Sequence, residues 1–197
     1  AGGLTTSNGG LGTAVSANDG NRVTLDVIAT NLAFSTQPGG PVNGQTFSVQ
    51  PVVVAQDIQG NVDLEFGDVV TLTESAPGSL TGNTVSAISG VATFTQLIYT
   101  ATADQEAFVL IADDEPGGAE GDLAAITASS LACDVVATEL DLSVSPVGSV
   151  SGQALVIQPV VVARDAGGLV DTGFGDVVTV SATGAGTLTG NSVSATL

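Results

Sequence analysis

The stretch QPVVVAQDIQGNVDLEFGDVVTL, Gln50 to Leu72, returns further along the chain as QPVVVARDAGGLVDTGFGDVVTV, Gln158 to Val180. A shorter run, LTGNTVSA from Leu80, returns as LTGNSVSA from Leu188, and both pairs lie 108 positions apart. Extended outward, the same offset aligns Leu32–Ser89 with Leu140–Leu197, and 31 of those 58 pairs are identical. It also aligns VTLDVIATNL from Val23 with LACDVVATEL from Leu131. A period of this length is that of one independent folding unit, too long for a single solenoid coil. The expected organisation is therefore residues 1–31 as the C-terminal part of one copy, 32–139 as a complete copy, and 140–197 as the N-terminal part of the next. The chain then reads as a window on a longer tandem array.

Inside the complete copy the hydrophobic pattern is that of strands. Segments such as LAFSTQ from Leu32, TFSVQPVVVAQD from Thr46, DVVTLTES from Asp68 and SLTGNTVSA from Ser79 are short and rich in β-branched residues. So are GVATFTQLIYTATA from Gly90, EAFVLIADD from Glu106 and LACDVVAT from Leu131, and no segment keeps a helical period. Turn signals separate them: PGGPVNG near Pro38, IQGN near Gly60, APGS near Pro77 and EPGGAEG near Pro116. Pro51 and Pro159 interrupt apolar runs, where a missing N–H requires a bulge, an edge or a strand start. About seven strands in roughly 100 residues predict an all-β fold of tandem immunoglobulin-like sandwiches, without the Cys and Trp signature of true immunoglobulin domains.

Composition excludes several chemistries. The 197 residues carry 20 acids against two basic residues, Arg22 and Arg164, with no His, Lys, Met or Trp, and a formal net charge of -18. Such a chain repels phosphate backbones, so no nucleic-acid partner is expected. Without Lys or His there is no Schiff base and no ready general base for a Ser, Thr or Cys nucleophile, so no enzymatic activity is expected. The 43% hydrophobic share is spread in short runs, never the stretch of about 18 apolar residues that a spanning helix needs. Cys133 is the sole cysteine and has no intrachain partner; its counterpart Leu25 marks it as a small buried hydrophobe. No Asn-x-Ser/Thr acceptor for N-glycosylation occurs.

The pattern of LAFSTQP at Leu32, GQ at Gly44, QPVVVAQDIQGN at Gln50, LTGN at Leu80 and GVATF at Gly90 resembles the bacterial immunoglobulin-like tandem repeats of large secreted adhesins and surface filament proteins. The resemblance covers essentially the whole chain. It implies an extracellular or cell-surface address and a non-enzymatic structural role, as stalk or fibre. Alternatives are a self-assembling filament subunit held by β contacts between chains, and a calcium-dependent adhesion module. The partners implied are neighbouring repeats of the same chain or further copies. In the second copy Leu169 replaces the Asn of the pattern at Asn61, which predicts that this turn changes shape.

Two acidic sets are candidates for a hard cation such as calcium, which takes oxygen ligands. Asp57, Asp63 and Asp68 recur as Asp165, Asp171 and Asp176, but Glu65 and Glu74 become Gly173 and Ala182. Aspartates in turns also cap their own backbone, and that structural role is the expected one here. The denser set is Asp113, Asp114, Glu115, Glu120 and Asp122, wrapped around Pro116, Gly117 and Gly118. The positions matching it in the preceding copy are Thr5, Thr6, Ser7, Gly12 and Ala14, so a metal there is no general requirement of the repeat. A paired-carboxylate glycosidase is a poor fit, because one Tyr and no Trp leave little to stack against a sugar.

Overall fold

Short, β-branched segments punctuated by glycine and proline build a chain of strands without helices among the described residues. The computed structural model describes residues 26–196, apart from Glu115, Gly117, Ala119 and Glu120. Eleven strands lie between Asn31 and Cys133: β1 (Asn31–Thr36), β2 (Val52–Gln56), β3 (Val69–Glu74), β4 (Ser79–Thr81), β5 (Thr84–Ser86), β6 (Val91–Thr93), β7 (Ile98–Thr100), β8 (Glu106–Phe108), β9 (Leu110–Asp114), β10 (Ile126–Thr127) and β11 (Leu131–Cys133). Four more follow: β12 (Glu139–Val144), β13 (Val160–Arg164), β14 (Val177–Thr179) and β15 (Ser192–Ser194).

The strands form several small sheets. One has the order β1-β2-β6 and another β10-β9-β3-β5; β4 pairs with β7 and β8 with β11. All these pairs are antiparallel. Leu32, Val53 and Ala92 from the first sheet share one core with Val70, Leu72, Leu110 and Ala112 from the second. That arrangement is consistent with a β-sandwich. Tyr99 stacks on Phe108 with ring centroids 4.0 Å apart, and Phe47 meets Phe108 edge-on. Each such buried side chain contributes about 1.5–3 kcal/mol relative to exposure.

Eleven strands stand against the seven expected: three expected segments each divide in two, and β10 (Ile126–Thr127) lies outside all seven. At Gly82, whose φ of 68° suits glycine, SLTGNTVSA divides into β4, which pairs with β7, and β5, which pairs with β3. The run GVATFTQLIYTATA alternates with Ala92 and Phe94 inward and Thr93 and Thr95 outward, then breaks at Gln96, which is exposed like Thr95. EAFVLIADD changes sheets at Val109, so β8 pairs with β11 while β9 pairs with β3. Pro51 and Pro159 each stand just before a strand, the strand-start option. Gly90 has φ 78° and packs against the carbonyl of Asp63, leaving no room for a side chain.

The second copy repeats the first in register. Asn31↔Gln56 through Thr36↔Val52 in β1–β2 recurs as Glu139↔Arg164 through Val144↔Val160 in β12–β13, including the irregularity between the last two pairs. The β3–β5 pairing recurs likewise in β14–β15. Within the 197 residues the second copy has no counterpart of β6 to β11, so Leu140 is 53% exposed where its equivalent Leu32 is 2% exposed.

Candidate functional site

Two regions concentrate polar chemistry: the joint between the copies, and the acidic end of the complete copy. At the joint, β11 ends at Cys133 and β12 begins at Glu139, with no flexible spacer between them. Four of the five connecting residues, Asp134, Val135, Ala137 and Thr138, are hydrogen-bonded to one copy or the other. Asp134 donates its N–H to the Pro41 carbonyl (3.1 Å) and accepts from the Asn43 N–H (2.8 Å), while Val135 is fully buried. On the other side Thr138 donates to the Arg164 carbonyl (2.8 Å), and Ala137 donates to Asp171 Oδ2 (2.9 Å).

This clamp has a counterpart one copy earlier. Ala29 donates to Asp63 Oδ2 (2.9 Å) and Thr30 to the Gln56 carbonyl (2.9 Å). Asp63, 1% exposed, also accepts from the Glu65 and Phe66 N–H groups. A buried carboxylate is tolerable only with such partners, and three N–H donors supply them. Asp57, Asp63, Asp165 and Asp171 are therefore turn and joint acceptors. Asp57 takes the Gln59 and Asn61 N–H groups, and Asp165 takes those of Gly167 and Leu169.

Side chains fasten the joint further. Asp104, in the β7–β8 loop, accepts on Oδ1 from the Gln105 and Val135 N–H groups, and on Oδ2 from the Thr172 N–H (2.8 Å) and hydroxyl (2.5 Å). Partial burial acts to raise this carboxyl, but the hydrogen bonds from Thr172, Val135 and Gln105 outweigh it and hold it below its ordinary range. Asn43 Nδ2 donates to Asp165 Oδ2 (2.7 Å), and Asn43 Oδ1 accepts from Ala101 N–H. The turn at Leu169 does not change shape, contrary to expectation: the bonds Asp57 N–H to Asn61 O and Gly60 N–H to Asp57 O recur at Asp165, Leu169 and Gly168. What changes is the partner of the aspartate's second oxygen. Asn61 Nδ2 fills that role for Asp57, whereas Leu169 cannot, and Asn43 of the neighbouring copy takes its place.

Sequence reasoning missed Asn43, Asp104 and Thr172. Repetition could not mark them, because Asn43 aligns with Ser151, Thr172 aligns with Leu64, and Asp104 has no counterpart within the chain. The replacement of Asn61 by Leu169 was the one available signal, pointing to Asp165 as an acceptor in need of a donor.

The acidic set lies at the end of β9. Carboxylate oxygens of Asp113, Asp114 and Asp122 all lie within 4.8 Å of one another. Glu115 and Glu120, the other two residues of the candidate set, lie outside the described residues. Asp113 and Asp122 are exposed, whereas Asp114 is 4% exposed. Asp114 Oδ1 accepts from the Leu123 N–H (3.0 Å), and its Oδ2 is buried without a hydrogen-bond partner. Burial, and then the charges of Asp113 and Asp122, push its carboxyl above the ordinary range despite the bond from Leu123. Asp68 lies close under the same loop, where a Cβ on Gly118 would overlap its carboxylate.

Comparison of the chain with protein-family models and with curated proteins finds no match. Among the described residues no helix is long and apolar enough to cross a membrane.

Proposed function

We propose that this chain is part of a non-enzymatic tandem-repeat protein, a stalk or surface fibre of a secreted bacterial adhesin, built from immunoglobulin-like sandwich modules. Residues 32–139 form one module, and 1–31 and 140–197 belong to its neighbours. The observation that carries this reading is the recurrence, at the 108-residue offset, of strand registers together with the Asp63–Ala29 and Asp171–Ala137 clamps. A copy that buries its own core and grips the next through its backbone adds length and stiffness with each repeat. The net charge of -18 keeps neighbouring fibres apart within the Debye length of about 8–10 Å.

Electron microscopy of the native assembly tests this. Thin threads with an axial repeat of one module are expected, and compact particles without such a repeat would contradict the proposal.

A further inference from the structure

We propose that the β9–β10 connection of the complete copy binds one calcium ion through the carboxylates of Asp113, Asp114 and Asp122. This goes beyond the structural role above and does not depend on it. Three carboxylates gathered within 4.8 Å repel one another, and among the described residues the only basic side chain, Arg164, is engaged elsewhere with Asp141 (3.4 Å) and the Gly168 carbonyl. Proximity of acids alone would say little, since exposed carboxylates cluster without ions. The second observation is Asp114 itself. The residue is only 4% exposed, one carboxylate oxygen is anchored by Leu123 N–H, and the other is buried with no hydrogen-bond partner. A buried, unpartnered carboxylate oxygen is costly unless a cation meets it.

The ligand chemistry selects the ion. All three groups are carboxylates, and the sequence has no His, so a hard, oxygen-seeking cation is favoured over zinc or copper. Calcium takes several carboxylates in irregular, flexible shells at about 2.3–2.6 Å, whereas magnesium demands near-octahedral geometry and keeps most of its water, so a set of three protein carboxylates suits calcium better. Asp113 and Asp114 also line an open depression with Thr71, Ile111 and Pro116, which leaves the cluster accessible from solvent.

The location gives binding a mechanical consequence. Ala124, just after the loop, bridges Asn31 at the start of β1, and the linker residue Ala29 is clamped by Asp63 at the same end. An ion here braces the end of the copy at which the preceding linker enters.

The test is calorimetric titration of the full chain with calcium chloride, alongside thermal melts in calcium and in chelator at matched ionic strength. A single-site isotherm and a calcium-dependent rise in midpoint are expected. Binding should weaken at least tenfold in Asp113→Asn and in Asp122→Asn, whose exposed side chains leave the fold intact by circular dichroism, and be lost in the double variant. Asp141→Asn should leave it unchanged. Absence of a calcium-specific heat, binding that survives in the double variant, or an equal response to magnesium would overturn the proposal.

Discussion

Replacing Asp104 with Ala removes the acceptor of two hydrogen bonds across the joint, from the Thr172 N–H and hydroxyl, and of one from Val135 N–H inside the complete copy. A hydrogen bond to a charged acceptor contributes about 1.5–3 kcal/mol when sheltered. Thr172 is exposed and Asp104 only partly buried, so screening reduces each cross-joint bond to about 0.5–1 kcal/mol. The joint then loses about 1–2 kcal/mol of coupling, which lowers the ratio of clamped to unclamped joints by about 5- to 30-fold.

Pulsed electron paramagnetic resonance between nitroxides at Ser86 and Ser194, equivalent exposed positions in the two copies, reads this as a broadened distance distribution. Buried Cys133 stays unlabelled. Asp104→Ala also leaves the Val135 N–H without its carboxylate, so the melting midpoint should fall. Thr172→Val removes only the hydroxyl contact and should broaden the distribution less while leaving the midpoint of the complete copy unchanged. Distance distributions that stay as narrow as in the parent protein, in a folded Asp104→Ala variant, would refute the clamp.

Asp63→Ala strips the partner from three N–H groups, two of them on the buried residues Ala29 and Phe66, and should cost about 3–5 kcal/mol in urea denaturation, at about 1–3 kcal/mol per buried donor left unmet. Asp104, Asp165 and Glu106 all titrate below their ordinary values in the fold, so the stability they contribute is fully present above those values, about 3.8 for Asp and 4.5 for Glu. It is lost as pH falls from those values through the folded-state ones, and circular dichroism from pH 7 to 2 should show the loss beginning as pH falls through about 4.5. Cys133 is fully buried and its thiol is pushed up to about 11, first by burial and then by the charges of Glu106, Asp134 and Asp104. It should resist a thiol-specific disulfide reagent at pH 8 and react promptly once the protein is unfolded in urea.

The all-β class and the turn positions were legible because alternation and Gly or Pro punctuation are local properties of the chain. The proline at position 51 announced the start of β2, and the aspartates at 57 and 165 announced Asx turns. Strand breaks at Gln96 and Val109 were not legible, since each is set by which sheet the chain joins next, a tertiary matter. The joint was half visible. Asp63 and Asp171 stood out by recurrence, but Asn43, Asp104 and Thr172 act on a neighbour far away in sequence and carry no local signature. The burial of Asp114 between exposed Asp113 and exposed Asp122 likewise depends on the pleat at the end of β9, which composition does not reveal.

Equilibrium unfolding of residues 26–139 expressed alone tests most directly whether each copy closes its own core. Urea denaturation followed by far-UV circular dichroism and by the fluorescence of Tyr99, the single tyrosine, should give one coincident cooperative transition. Its midpoint should lie close to that of the same residues in the full chain. A fragment that is unfolded in buffer, or that folds only when residues 140–197 are added back, would contradict the modular reading.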